Sequence, residues 1–386
     1  MKNSSSHDPW SSRDTAQILI AILREEISGS PFAAHGFTDD VWTDVLELAR
    51  KHDLAHLVAD WLLRREAPAT MTDALKRIKA LAQYRCISQQ KVLSSVCSHF
   101  DTAHIEHIPL KGAVLRTLYP SSWMRTCADI DILIRQEELS RAEQLLKDKM
   151  KVNKTLRGSH DVKLTLSDNI AVELHYKLME DHRVNGVSEQ LADVWRYSVG
   201  DSFKKAMSDE MFYFYHIAHM AKHFENGGCG IRPFMDLWLL RHKSCYDEAA
   251  VTELLKRCNL TVFERKAVAL SEKWFSEERC EGITQIEQYI LSGGLFGSFD
   301  RTVSNRKLSY GGTVPYMLHR VFASYDDLKV LYPVLEKHRS LTPLFEVVRW
   351  FRFKDRDSRK HTLSELKQLN HKTDDLQEIM HDMGLV

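Results

Sequence analysis

Ala128-Asp129-Ile130-Asp131-Ile132-Leu133-Ile134-Arg135 is the stretch whose reading decides the fold. Acids stand at 129 and 131, and isoleucines at 130, 132 and 134. Alternation with period two predicts a strand, because successive side chains leave a strand on opposite faces. Asp129 and Asp131 then share one face, and the isoleucines bury the other. Two carboxylates side by side on a rigid strand repel each other unless a cation lies between them. Hard oxygen ligands of this kind suit Mg²⁺ or Mn²⁺. A lone Asp-x-Asp also reads as a solvated strand edge or turn.

Upstream, Ile108-Pro109-Leu110-Lys111-Gly112 predicts a short strand that ends at a glycine, with a helix starting over 113–118. Glycine lets the backbone approach a phosphate, and a helix N-terminus offers free N–H groups to it. Lys111 can neutralise a triphosphate, and Arg125 is a second candidate cation. The other reading makes Gly112 a structural turn and Arg125 a surface residue. Downstream, Leu139, Ala142, Leu145 and Leu146 predict a helix over 137–150. Strands follow over 163–166 and 170–178, joined by the turn Ser167-Asp168-Asn169. On the second of these strands Glu173 and His175 share a face opposite Val172 and Leu174. Three carboxylates on adjacent strands can hold two metal ions about 3.5–4 Å apart, which activates a hydroxyl nucleophile and steadies a leaving pyrophosphate. Removing Asp129 and Asp131 together should then relieve repulsion and, without metal, raise stability.

Around this unit the chain reads as helix. Apolar residues recur at helical spacing over 16–27, 53–65 and 72–103, and Thr38 offers an N-cap before 41–51. Helix returns after 187, notably over 209–224, 234–242, 248–258 and 262–277. Residues 293–313 are glycine-rich and polar and read as a long loop, with helix again over 316–353. The organisation is therefore a helical region over 1–104, an αβ core over 105–182 and a helical region over 183–386. The fold class is α+β: a mixed β-sheet core embedded in mostly helical N- and C-terminal regions.

The chain has 386 residues, with 53 Lys+Arg against 53 Asp+Glu, 44% hydrophobic and 27% charged. That composition excludes disordered and collagen-like chains. The zero balance argues against stable nucleic-acid binding, which needs a basic surplus. No stretch approaches the roughly 18–20 apolar residues of a transmembrane segment. The opening MKNSSSHDPWSSRD lacks an apolar core and does not read as a secretory signal. The seven cysteines are scattered, without a Cys-x-x-Cys pair, which points to a reducing cytoplasm.

Four other signals carry weaker chemistry. His216, His219 and His223 line one helix face. They read as partly buried histidines, as phosphate or acceptor contacts, or as a zinc site. Arg232 and Asp236 lie four apart around Pro233, as a cleft-lining pair that orients base, ribose or acceptor, or as a helix cap with an exposed ion pair. His160-Asp161 lacks the further ligands of a His/Asp phosphohydrolase. Residues 349–360 mix basic and aromatic side chains, as a solvated helix end or a contact surface.

Leu110-Lys111-Gly112, Tyr119-Pro120, Arg125, Asp129-Ile130-Asp131-Ile132-Leu133 and Val172-Glu173-Leu174-His175 together resemble the bacterial "uncharacterised nucleotidyltransferase" family of the DNA polymerase β-like superfamily. Residues 214–224 and Gly230-Ile231-Arg232-Pro233-Phe234-Met235-Asp236-Leu237 resemble the helical segment that follows the core in that family. The resemblance extends over about residues 15–350, with its specific motifs between 108 and 240. It implies a nucleotidyltransferase-type mixed sheet, with Asp129, Asp131 and Glu173 as catalytic metal ligands. It implies Mg²⁺ or Mn²⁺ as cofactor and an NTP as substrate. By the same resemblance Lys111, Gly112, Arg125, His175, His223, Arg232 and Asp236 border the nucleotide or the acceptor. The reaction it implies moves a nucleoside monophosphate to a hydroxyl-type acceptor on a small molecule, a sugar or lipid precursor, or a protein side chain. The alternative is a catalytically inactive nucleotidyltransferase fold that serves as a binding or regulatory module. Many members of the wider superfamily carry a Gly-Ser pair shortly before the Asp-x-Asp. Here Lys111-Gly112-Ala113 stands at a longer spacing, so Lys111 and backbone N–H groups take over the phosphate.

Overall fold

The face of β-structure that carries isoleucine, valine and leucine must meet apolar helix faces, and this requirement organises the chain around residues 107–175. A computed structural model describes residues 13–33, 37–65, 67–158, 160–179, 186–276, 283–295, 325, 328, 332, 334–352 and 374–385. It divides into two units, Met1–Lys222 with Cys229–Leu295, and His223–Gly228 with Phe296–Val386.

The first unit opens with helices α1 (Arg13–Ser28), α2 (Asp39–Lys51), α3 (Ala55–Leu63) and α4 (Thr72–Thr102). The α1 stripe of Ile18, Leu19, Ile22 and Leu23 is buried, as its spacing predicts. Thr38 does occupy the N-cap of α2 in an extended conformation, but its side chain makes no capping hydrogen bond. Asp39 and Asp40 in the first turn favour that helix end instead, against the positive end of its dipole. α4 is a single helix of 31 residues, as its uninterrupted pattern predicts.

Next come β1 (His107–Pro109), the one-turn helix α5 (Gly112–Leu115), β2 (Asp129–Ile134), α6 (Leu139–Lys149), β3 (Val152–Arg157), β4 (Asp161–Leu166) and β5 (Ala171–His175). They form a mixed sheet in the order β1-β2-β5-β4-β3. β2 and β5 run parallel, and the other neighbours are antiparallel. Asn169 makes the β4–β5 turn at φ 62°, and the Asp168 carboxylate accepts from the Ile170 N–H, a role suited to these turn residues.

One sheet face presents Ile130, Ile132, Ile134, Val162, Leu164, Leu166, Val172 and Leu174. Val92, Val96 and Phe100 of α4 and Leu139, Ala142 and Leu146 of α6 cover it. The other face carries Asp129, Asp131, Asp161, Lys163, Glu173 and His175.

The clearest differences from the sequence reading lie in α5, β3, β6 and β7. α5 stops after Leu115, well short of 118. β3 has no counterpart in the reading, because Val152-Asn153-Lys154-Thr155-Leu156-Arg157 is an edge strand whose residues are all exposed or half-buried. The two-residue strands β6 (Ser198–Val199) and β7 (Ala206–Met207) are too short to leave a pattern.

Helices α7 (Val187–Ala192), α8 (Asp209–Glu225), α9 (Arg232–Lys243), α10 (Glu248–Arg257), α11 (Thr261–Phe275) and α12 (Gln285–Gly293) follow. Pro233 sits in the first turn of α9, where its missing N–H costs no helix bond. Ser271 of α11 donates to the Phe234 carbonyl at 2.8 Å, which ties α11 to α9. Thr284 and Glu287 form a reciprocal capping box at the start of α12.

In the second unit Leu328, Tyr332 and Leu335 form a small apolar cluster with Phe345 and Val348. Residues 296–313 of the expected long loop, and residues 353–360 of the basic-aromatic stretch, lie outside the described residues. Among the described residues, no helix is long and apolar enough to cross a membrane. Cys86, Cys97, Cys127, Cys229, Cys245 and Cys258 are free thiols.

Ile132→Ala should cost about 2–5 kcal/mol, because it opens a cavity in the fully buried sheet face. Urea unfolding monitored by circular dichroism measures this as a lower midpoint at unchanged slope.

Candidate active site

The parallel register of β2 and β5 sets Asp131 directly against Glu173, with Asp129 against Ala171 and Leu133 against His175. Neighbouring strands lie about 4.8 Å apart, so the two carboxylates stand side by side on one face. β4 runs antiparallel on the far side of β5 and sets Lys163 against Glu173. Four charged side chains therefore converge because three strands alternate in phase.

Asp131 is 5% exposed and strongly engaged. Its Oδ1 accepts from Lys111 Nζ at 3.0 Å and from His175 Nε2 at 2.8 Å. Its own backbone carbonyl accepts from the Leu110 N–H, which fixes the segment leading into Lys111. Lys111 adopts φ 41°, ψ −113°, a conformation that L-residues avoid. That backbone turns its side chain onto the acidic face, where it also meets the Tyr215 hydroxyl on α8. Lys163 Nζ lies 2.7 Å from Glu173 Oε1 and 3.8 Å from Asp129 Oδ2. His175 Nε2 lies 3.7 Å from Glu173 Oε2.

The two aspartates respond oppositely to this setting. Burial and the charges of Asp131 and Glu173 push Asp129 up to about 6. Burial also pushes Asp131 upward, but Lys111 and His175 outweigh it and hold its carboxyl well below the usual range. Lys111 would be lowered by burial, yet Tyr215 and Asp131 raise it above the ordinary lysine value. Asp129 thus carries the surplus negative charge, while Asp131 is compensated. The expectation that losing both aspartates raises stability is corrected for Asp131, whose removal leaves the Lys111 ammonium without its carboxylate partner.

Ligand atoms of Asp131, Glu173 and His175 all lie within 4.8 Å of one another, in a grouping that can hold a metal ion. Carboxylate oxygens with one imidazole nitrogen fit a divalent cation such as Mg²⁺ or, more readily, Mn²⁺. Asp129 lies two residues along the same strand face, at the mouth of this cluster.

Arg125, Arg232 and Asp236 sit in two neighbouring networks. Arg125 forms a two-point ion pair with Asp236 of α9, with Nη2 2.9 Å from Oδ2 and Nε 3.3 Å from Oδ1. The Tyr119 hydroxyl donates to the same carboxylate at 2.8 Å. Asp236 is 1% exposed, and although burial raises its carboxyl, Arg125 holds it below its ordinary value. Arg232 turns instead to Asp53 and to the Thr126 hydroxyl. Arg232 and Asp236, read as a pair from their spacing, thus serve different partners, and both are buried rather than exposed. Gly112 packs against Arg125 and Cys127. A Cβ there would stand 3.0 Å from Arg125 Nη1 and 2.9 Å from Cys127 Sγ, so the small residue answers a packing demand. His216 donates to the Pro233 carbonyl at 3.0 Å, which commits its Nε2 to the start of α9. His223 lies at the C-terminal end of α8 and belongs to the second unit.

Sequence reasoning missed Lys163 and Tyr215. Lys163 carried a readable signal, because it alternates with Val162 and Leu164 and so shares the polar face of its strand. Tyr215 carried none, since its position depends on how α8 packs.

A family model described as an uncharacterised nucleotidyltransferase matches residues 38–276, well over half of the chain. No curated protein and no solved structure matches.

Two outcomes follow from this geometry. Below about pH 4, Asp129 is protonated in folded and unfolded chains alike, and its raised folded value favours the fold. That contribution is lost as pH rises through about 6. In the presence of a chelator, Asp129→Asn should therefore gain stability over the parent by about 1–3 kcal/mol at pH 7–8, and the gain should vanish towards pH 4. Thermal melts across that range measure it. Gly112→Ala should lower the melting temperature, at a cost of about 1–3 kcal/mol from overpacking against Cys127 and Arg125.

Proposed function

The chain belongs to the uncharacterised nucleotidyltransferase family, whose general chemistry is nucleotidyl transfer, and from that premise we propose a divalent-metal-dependent transfer of a nucleoside monophosphate from an NTP to a hydroxyl-type acceptor. The observation that carries this reading is the in-register pairing of Asp131 with Glu173, with Asp129 on the same face. The acceptor class is a small molecule, a sugar or lipid precursor, or a protein side chain, and the setting is cytoplasmic.

In this reading Asp129, Asp131 and Glu173 hold Mg²⁺ or Mn²⁺. A cation bound there neutralises phosphate charge and makes an acceptor hydroxyl easier to deprotonate. Lys111, anchored by Asp131 and Tyr215, presents a fixed positive charge to the phosphates. His175 holds Asp131 in place through its Nε2. Glu173 orients the attacking hydroxyl. Most of the rate then comes from positioning and charge stabilisation. Arg125 and Arg232 act through Asp236 and Asp53, by fixing the loop that leads into β2.

One observation favours the alternative of an inactive binding module. Lys111 and Lys163 already supply two positive charges to the three carboxylates, which lowers the demand for a metal.

Calorimetric titration of ATP, CTP, GTP and UTP, each with Mg²⁺ or Mn²⁺, separates the two readings. The transferase reading expects metal-dependent binding of at least one NTP, weakened about tenfold or more in Asp129→Asn, the scale of one charge removed from a partly buried site. If the folded protein binds no NTP with either cation, the transferase reading fails and the binding module takes its place.

A further inference from the structure

Lys163 is a cation on the acidic face to which the proposed chemistry gives no part. It stands on β4, whose backbone is held by β5 on one side and β3 on the other. Its Cα is therefore fixed, and only the four-carbon stem can move. The ammonium lies 2.7 Å from Glu173 Oε1 and 3.8 Å from Asp129 Oδ2. These are the two carboxylates that Lys111 does not bond. Lys163 thus occupies the position of a bridging cation between two strands.

Lys111 and Lys163 differ in how they are held. Lys111 is anchored by Asp131, by Tyr215 and by an unusual backbone conformation. Lys163 has a 37% exposed side chain and no such backbone constraint. A flexible primary ammonium is a compact point charge that can exchange one anionic partner for another. A divalent cation competes for the same oxygens with twice the charge. An ammonium displaced from them stays within a stem's length of the site, where phosphate oxygens arriving with the cation offer it anionic partners in addition to Asp161 of its own strand.

We propose that Lys163 is an exchangeable counter-ion: its ammonium neutralises Asp129 and Glu173 until a divalent cation takes those oxygens, and it then binds the phosphates of the incoming NTP. This inference rests on the nucleotidyl-transfer reading of the same carboxylates. Lys163 is a positioning and phosphate-binding residue, and no bond forms or breaks in the exchange. It gives the chain a stable metal-free state, because Asp129 and Glu173 lack the lysine partner that Asp131 has in Lys111. It also couples metal and nucleotide, since the metal releases the cation that the phosphates use.

The exchange has a signature of opposite signs. Mn²⁺ alone is titrated into the full-length parent, Lys163→Gln, Lys163→Met and Lys163→Arg, with the free ion followed by electron paramagnetic resonance. ATP, CTP, GTP and UTP are then titrated at saturating Mn²⁺. Lys163→Gln and Lys163→Met should each bind Mn²⁺ alone about tenfold tighter and the NTP about tenfold weaker, the scale of one partly exposed charge pair. Lys163→Arg, which keeps the charge, should return both values towards the parent. Unchanged or weaker Mn²⁺ binding in folded Lys163→Gln or Lys163→Met overturns the proposal, as does tighter Mn²⁺ binding with unchanged NTP binding. If neither the parent nor the variants bind Mn²⁺, the carboxylate-site reading itself falls, a result distinct from failure of the exchange alone.

Discussion

The parallel pairing of β2 with β5 is the constraint on which the rest depends. A slip of one residue would turn Glu173 into the core and Val172 onto the polar face, because strand side chains alternate. What prevents the slip is apolar. Ile130, Ile132 and Ile134 must face α4 and α6 together with Val172 and Leu174. The precision of the acidic face is therefore set by packing on the opposite face. The carboxylates repel one another, and their bonds to Lys111, His175 and Lys163 offset that repulsion rather than set the register.

That repulsion is managed by hydrogen-bond donors drawn from three different segments. Lys111 comes from the turn after β1, Lys163 from β4 and His175 from β5 itself. A second layer of ion pairs, buried at Arg125–Asp236 and half-buried at Arg232–Asp53, ties the helices after the sheet to the loop before β2. Arg125 with Asp236 links that loop to α9, and Arg232 with Asp53 links α9 to the N-terminal helices. Buried pairs of this kind add little net stability over apolar packing, but breaking one strands a charge. Their effect is to make the approach to β2 a defined structure rather than a free loop.

The sheet strands β2 and β5 were legible in the sequence because each alternates cleanly between one buried face and one acidic face. The turn at Asp168-Asn169 was legible because those residues tolerate its conformation. β3 was not, because an edge strand with Asn153, Lys154 and Arg157 along it has no buried face to mark its period. The acidic members of the site could be read from one strand at a time. Lys163 could not be placed against Glu173 without the β4–β5 register, which lies between strands rather than within either. Arg232 and Asp236 misled for the same reason. Their spacing on one helix suggested a mutual pair, whereas each is claimed by a residue more than a hundred positions away.

The sheet order also carries a kinetic consequence. β3, β4 and β5 are consecutive antiparallel neighbours and can zip from local turns. β2 joins β5 only across the intervening α6 and hairpin, and brings His175 to Asp131 over 44 residues of chain. Non-local parallel pairing of this sort is a slow event in folding. Here the closing step is also the one that presses like charges together. Counter-ions in solution therefore act on the speed with which the chain closes, as well as on the stability of the closed form. Until that step is complete, the β2 and β5 edges stand unpaired and open to other chains.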